Sequence, residues 1–407
     1  VNSAIAAATT EDSNSLEEIQ ALADAMIEVL DGAANGTADV PSLEALQLLG
    51  IDDVDADNVA AIQAAIAATN PDGSEVSDLA DLQTIVTAMA DVADAANNET
   101  TNFTIEDLAV LGITVSADEF PIALAAIVAS NGSGVNSPAA IQELITDALE
   151  DLRVISEYDG SNEAPGTLSY ARLGISGVSP VNTTVVQNMI AALDADQTDS
   201  IAEIQAIVDA VDNLLLAASG TAGVPTIDDL AALGFDNVTA ETLPAIQLAI
   251  AATDDNGNGV SNWVDLRDLI NGAEFLAPTA LATLTAYEAG DTEPTPLTYT
   301  QAGIAGVDGN NVAGMNDILA AFDETATATL DQIQALADAM NAVLDGAAGE
   351  AGKPELADLL LLGITDVSED NIAAVQAAIE ATDDNGDGVD TLQELQDLVT
   401  GVTGAID

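Results

Sequence analysis

Apolar residues return along this chain at helical spacing, in short stretches broken by polar turns. Val59, Ile62 and Ile66 fall on one face of a 3.6-residue period, as do Leu243, Ile246 and Ile250, and Ile372, Val375 and Ile379. Longer stretches follow the same rule, with Ile19, Leu22, Met26 and Leu30 in one and Ile333, Leu336, Met340 and Leu344 in another. Helix starts are marked by Ser179 before Pro180, by Ser116 three residues before Glu119, and by Ser368 before an acidic turn. Between these pairs of helices lie short segments opened by a capping Thr, at Thr104, Thr167 and Thr226, and closed by Leu-Gly-Ile or a variant of it. The glycine suits the left-handed residue that ends a helix, and the Ile after it can pack back on the last turn, so the tripeptide reads as a structural stop.

The stops set a period. Their glycines, at 50, 112, 174, 234, 303 and 363, are 62, 62, 60, 69 and 60 residues apart. A second series, an apolar residue early in each long helix (Ile19, Leu82, Ile141, Ile204, Leu266, Ile333, Leu395), has seven members, most of them followed by Gln. The pattern predicts an all-α tandem array of about seven helix–loop–helix units joined by six short helical connectors. The unit boundaries fall at 1–49, 50–111, 112–173, 174–233, 234–302, 303–362 and 363–407. A unit of about 60 residues buries too little core alone, so neighbours are expected to stack. The chain opens at Val1 without an initiator Met or a signal peptide and inside a first helix, which reads as a processed or excised start. Its two ends are expected to continue the stack, by end-to-end docking of copies or by neighbouring repeats of a longer polypeptide.

The loop of the last unit carries the strongest chemical signal. Asp383–Glu394 matches the calcium-loop pattern D-x-[DN]-x-[DN]-G-x5-E at Asp383, Asn385, Asp387, Gly388 and Glu394. Alternate oxygen donors, the Val389 carbonyl and a closing Glu394 are what a hard cation needs, since Ca2+ takes six to eight oxygens at ~2.3–2.6 Å. The bland alternative is a solvated acidic turn. Loop five offers Asp254, Asn256, Asn258, the Val260 carbonyl and Asp265, whose shorter arm closes the shell less well. Loop two offers Asn70, Asp72, Ser74 and Asp81 but has Glu75 where the turn glycine belongs. Loops one, three, four and six have lost the pattern, so Ca2+ is expected to favour loop seven over loop five, and five over two. Each loop with its flanking helices resembles the EF-hand and the dockerin loop over about twelve residues. The eighth place, where an EF-hand carries a hydrophobic residue, is Asp390 in loop seven and Ser261 in loop five, with Val389 and Val260 one place earlier. The whole repeat, through words such as AIAAT and LGI, resembles the Ala/Asp-rich tandem helical repeats of very large secreted adhesin-like proteins of marine bacteria.

Composition narrows the function. Seventy acidic against four basic residues (Arg153, Arg172, Arg267, Lys353) give a net charge of −66. So few positive charges cannot build a surface for nucleic acid or an anionic membrane. Without His or Cys the usual triads, thiol nucleophiles and nitrogen- or sulfur-liganded zinc sites are excluded, and no carboxylate pair stands out as an acid–base couple. Yet 48% of residues are hydrophobic, which separates the chain from a disordered acidic tail, and no apolar run is long enough to span a membrane. Six N-x-S/T sequons occur, at Asn35, Asn98, Asn102, Asn131, Asn182 and Asn237. Trp263 reads as a packing residue, and Lys353 as a solvated one rather than an amide crosslink. Calcium loops point outside the cell or to its surface. The expectation is a non-catalytic extracellular structural protein: a stalk, filament subunit or adhesin spacer. The alternatives are a calcium-dependent glycan- or protein-binding module and a calcium buffer or sensor.

Overall fold

A computed structural model describes residues 15–36, 39–99, 102–221, 223–253, 259–322, 325–349, 352–382 and 388–404. Among them are 19 α-helices and no strand, so the protein is all-α. The helices keep a strict cadence. Long helices (Leu16–Asn35, Leu79–Ala96, Pro138–Ser156, Ile201–Ala218, Trp263–Thr285, Leu330–Ala347 and Leu392–Thr403) are each followed, except for the last, by a connector of about two turns. The connectors are Leu43–Leu48, Ile105–Val110, Thr167–Arg172, Ile227–Ala232, Pro296–Ala302 and Leu356–Leu361. After each connector comes a helix of eight to ten residues, for example Val59–Ala68 or Val312–Ala321. All six connectors end as the Leu-Gly-Ile pattern predicts. Gly50, Gly112, Gly174, Gly234, Gly303 and Gly363 have φ between 71° and 92°. The next amide reaches back five residues, as when Ile113 N–H donates to the Leu108 carbonyl at 2.8 Å.

The chain divides into two compact units, Val1–Val208 and Asp209–Asp407. In the first, Leu22, Met26, Ile62, Ile66, Leu82 and Ile141 are core residues, so the faces predicted from periodicity are the faces that pack. In the second, Met315, Ile333, Leu336, Met340, Val375 and Leu395 play that part. Short helices pack on the long helix before them and on the one after: Val59–Ala68 on Leu16–Asn35 and Leu79–Ala96, Phe120–Ala129 on Leu79–Ala96 and Pro138–Ser156, and Ile372–Ile379 on Leu330–Ala347 and Leu392–Thr403.

Neutral amide side chains tie these elements together at fixed intervals. In the first unit Gln63 Nε2 donates to the Pro41 carbonyl (2.8 Å) and Gln187 to that of Pro165 (2.7 Å). In the second unit Gln247 donates to Pro225 (2.8 Å), Asn316 to Pro294 (3.0 Å) and Gln376 to Pro354 (2.8 Å). The separation is 22 residues every time. Where Phe103 takes the place of the proline, Leu124 takes the place of the Gln, and Phe103 packs on Phe120 with ring centroids 5.5 Å apart. An apolar contact stands in for a polar one.

A second tie uses the Gln of the long helix. Its amide pairs with both backbone groups of the residue after Gly-Ile: Gln83 with Asp52, Gln205 with Ser176, Gln334 with Ala305 and Gln396 with Thr365. The N–H of that residue donates at 2.7–2.9 Å and its carbonyl accepts at 3.2–3.4 Å. In the long helix where this place is Arg267, Trp263 makes the link instead. Its Nε1–H donates to the Leu233 carbonyl (2.9 Å), its ring stacks on Phe235 at 5.5 Å, and the Arg267 guanidinium lies 5.5 Å above it. Trp263 is therefore a packing residue. A third tie closes the turn that leads into the short helices. Asn58, Asn182, Asn311 and Asn371 each accept from the backbone three residues earlier and donate to the carbonyl five residues earlier.

Candidate calcium loops

Six of the fourteen candidate ligands, Asp383, Asn385 and Asp387 of loop seven and Asp254, Asn256 and Asn258 of loop five, lie outside the described residues. The second halves of both loops are described, and they match. Gly388 and Gly259 each have φ of 95°, and Val389 and Val260 are fully buried. The seventh place is in fact a core anchor in every loop whose second half is described. Val76, Val135, Thr198, Val260, Thr327 and Val389 are all buried. Sequence reasoning had Val389 and Val260 only as carbonyl donors. The signal was present, because Val or Thr stands six residues before the early apolar residue of every long helix but the first.

The twelfth place also carries a second task. Glu394 occupies the third position of its helix, and Thr391, the residue capping that helix, donates its hydroxyl to Glu394 Oε2 at 2.9 Å. The same reciprocal cap joins Ser15 to Glu18, Ser200 to Glu203 and Thr329 to Gln332, in loops that lack the calcium pattern. Asp265 is bonded in the same way to Asn262. A carboxylate at this place is thus explained by helix capping before any ion is invoked.

Asp390 adds a second carboxyl beside Glu394 in loop seven. Its side chain hydrogen-bonds Glu394, and that bond, with the bond from Thr391, holds the Glu394 carboxyl below the usual range. The groups that the described half of the loop offers, the Val389 carbonyl and the Asp390 and Glu394 carboxyls, are all oxygen donors, the type a hard cation takes. Loop four repeats the pair. There the charge of Glu203 first, then a hydrogen bond to it, burial and Asp196 push the Asp199 carboxyl up.

Loop two closes on itself. Glu75, in the glycine's place, takes the Asn70 backbone N–H (2.8 Å) and side-chain amide (2.9 Å). Asp72 accepts from Ser74 N–H at 3.0 Å, and hydrogen bonds to the Ser74 side chain and backbone hold its carboxyl low. Asp81 accepts from the Ser77 hydroxyl at 3.2 Å, while Asp78 caps the helix. Gly73, one place ahead of Ser74, supplies the left-handed residue at φ 69°. Each candidate ligand here already has a side-chain bond within the turn. Among the described residues no three acidic side chains gather in a way that could hold a metal ion.

Two further residues have settled roles. Lys353 pairs with Glu380 at 2.5 Å, both exposed, so its partner is not the Asn or Asp of an amide crosslink. Asn182 is buried with its amide bonded to Ser179 and Gly177, which removes that sequon from any surface. Comparison with models of protein families, with curated proteins and with solved structures finds no match.

The pair in loop four gives a pH prediction. A carboxyl whose folded pKa is raised destabilises the fold when ionised, and this penalty disappears as pH falls and the group protonates. Asp199→Asn should therefore raise the melting temperature at pH 7 and leave it unchanged near pH 3. A variant that melts lower than wild type at pH 7 would show that the Asp199 carboxylate contributes more through its bonds than it costs through repulsion.

Proposed function

We propose that the chain is an extracellular, non-catalytic structural repeat protein: seven stacked helix–loop–helix units serving as a stalk, filament subunit or adhesin spacer, stiffened where Ca2+ occupies its loops. The observation that carries the reading is the recurrence of the same three amide-to-backbone ties along the sequence. Residues that a binding or catalytic protein would vary from place to place are here spent on repeating one geometry. The cadence of long helix, connector and short helix supports the tandem reading. Among the described residues no helix is long and apolar enough to cross a membrane. Further copies, or further repeats, would extend the array through the same contacts.

Calcium enters as a brace. A group of carboxylates that repel one another gains most from a divalent cation, and an ion bound only to the folded form stabilises it by RT ln(1 + [L]/Kd), ~2.7 kcal/mol at a hundredfold excess. Loop seven should bind most tightly, loop five less so, and loop two weakly or not at all. Glu394→Gln should remove most of the tightest component in calorimetry and most of the calcium-dependent rise in melting temperature. Asp323→Asn in loop six, at a residue outside those described, should change neither. Equal loss from both, or no binding in the millimolar range, would contradict the calcium reading.

The second reading, a calcium-dependent glycan- or protein-binding module, makes a different prediction about particles. Electron microscopy of the purified protein in calcium should show elongated particles or fibres that are less regular in chelator. Compact discrete particles, unchanged by calcium, would favour the binding module.

A further inference from the structure

The short helix Val312–Ala321 carries a glycine in its first turn, Gly314, at a place where glycine is disfavoured relative to alanine. Its φ is not positive, so conformational freedom is not what the residue supplies. Space is. A Cβ on Gly314 would lie 2.2 Å from the Asp390 carbonyl oxygen, 3.3 Å from its carbon and 2.8 Å from Met340 Cε. The carbonyl belongs to backbone, and a contact that short must displace it. Three residues after the capping residue, the other short helices have Ala61, Ile122, Val185, Ala245 and Ala374, all with a Cβ. Only the helix that faces loop seven has none.

Asp390 stands between two fixed points. Val389 before it is anchored in the core, and Thr391 after it caps the helix that carries Glu394. Asn316, two residues beyond Gly314, accepts from the buried Tyr299 hydroxyl at 2.8 Å and donates to the Pro294 carbonyl, so the helix under the loop is itself tied down. We infer that Gly314 is the positioning residue for the second half of loop seven. It is the seat on which residues 388–394 are registered, and the route by which an ion in the loop acts on the helix beneath it. The seat stands on the geometry alone; its ion-dependent part rests on the calcium reading.

The test uses Gly314→Ala in the full chain, with Gly314→Ala/Met340→Ala to relieve the flexible Met340 contact while leaving the carbonyl contact. In chelator, Gly314→Ala should melt at least ~3 °C below wild type, as overpacking against backbone does. Amides of 389–395 should exchange faster with solvent. The Met340 change should not rescue either. Calorimetry with calcium alone should show the affinity of the tightest site reduced ~10-fold, the effect expected of a residue that orients ligands. Without any mutation, calcium should slow exchange in 312–321 more than in 183–190. Unchanged melting and exchange in chelator, or full rescue by Met340→Ala, would overturn the seat. Tight-site affinity unchanged by Gly314→Ala, or calcium that binds without slowing exchange in 312–321, would overturn the coupling. A wild type that binds no calcium, while Gly314→Ala still loosens 389–395 in chelator, would overturn the calcium reading and keep the seat.

Discussion

Seventy carboxylates facing four basic side chains leave this protein unable to tie its polar surface with ion pairs, and the rest of the structure follows from that shortage. All four cations are already paired, three of them in exposed contacts of the kind that contribute ~0–1 kcal/mol each. Arg172 alone makes a two-pronged pair with a buried carboxylate, Asp151. The work is done by Asn and Gln. Their amides carry a donor and an acceptor on one neutral group, so a single side chain satisfies both backbone groups of a residue, as Gln83 does for Asp52. Each such bond contributes only ~0.5–1.5 kcal/mol net, but it neither titrates nor is screened by salt. Repulsion among the carboxylates does both.

The ties are also where the sequence was hardest to read. Helical faces were legible because burial follows the 3.6-residue period, and Ile62, Ile66, Leu336 and Met340 are in the core for that reason. The connector stops were legible because a left-handed residue selects glycine. The partners of Gln63 and Gln376 were not, although a proline stands 22 residues before each. Periodicity says which face a residue occupies and is silent about which carbonyl waits opposite it. The substitutions that keep a link by other means, Phe103 with Phe120 and Trp263 with Leu233, show that these places are under a common geometric demand.

Loop chemistry was legible in part. The calcium pattern at Asp383–Glu394 cannot by itself separate a ligand from a helix cap, because a carboxylate at the third helical position serves both ends. Ser15 with Glu18 and Ser200 with Glu203 make the cap in loops without the pattern, so the twelfth place says little about an ion. The turn built by Glu75 in loop two shows the other side of the same point: a carboxylate placed where glycine is expected folds the loop with its own bonds. What sets loop seven apart is Gly314 beneath Asp390, since the pair of Asp390 with Glu394 recurs as Asp199 with Glu203 in loop four.

The central claim is that neutral amide ties hold this fold against its charge, and the amides of Asp52, Ser176, Ala305 and Thr365 report it directly, since each donates to a Gln side chain. Thr114 and Asp236 hold the same place after the stop glycine. The first lies opposite Gln142, which donates instead to Thr146, and the second opposite Arg267. Native-state hydrogen exchange should find the four tied amides protected well beyond these two, and equally so at 10 mM and 1 M NaCl. Tied amides that exchange as fast as Thr114 and Asp236, or whose protection changes with salt, would contradict the account.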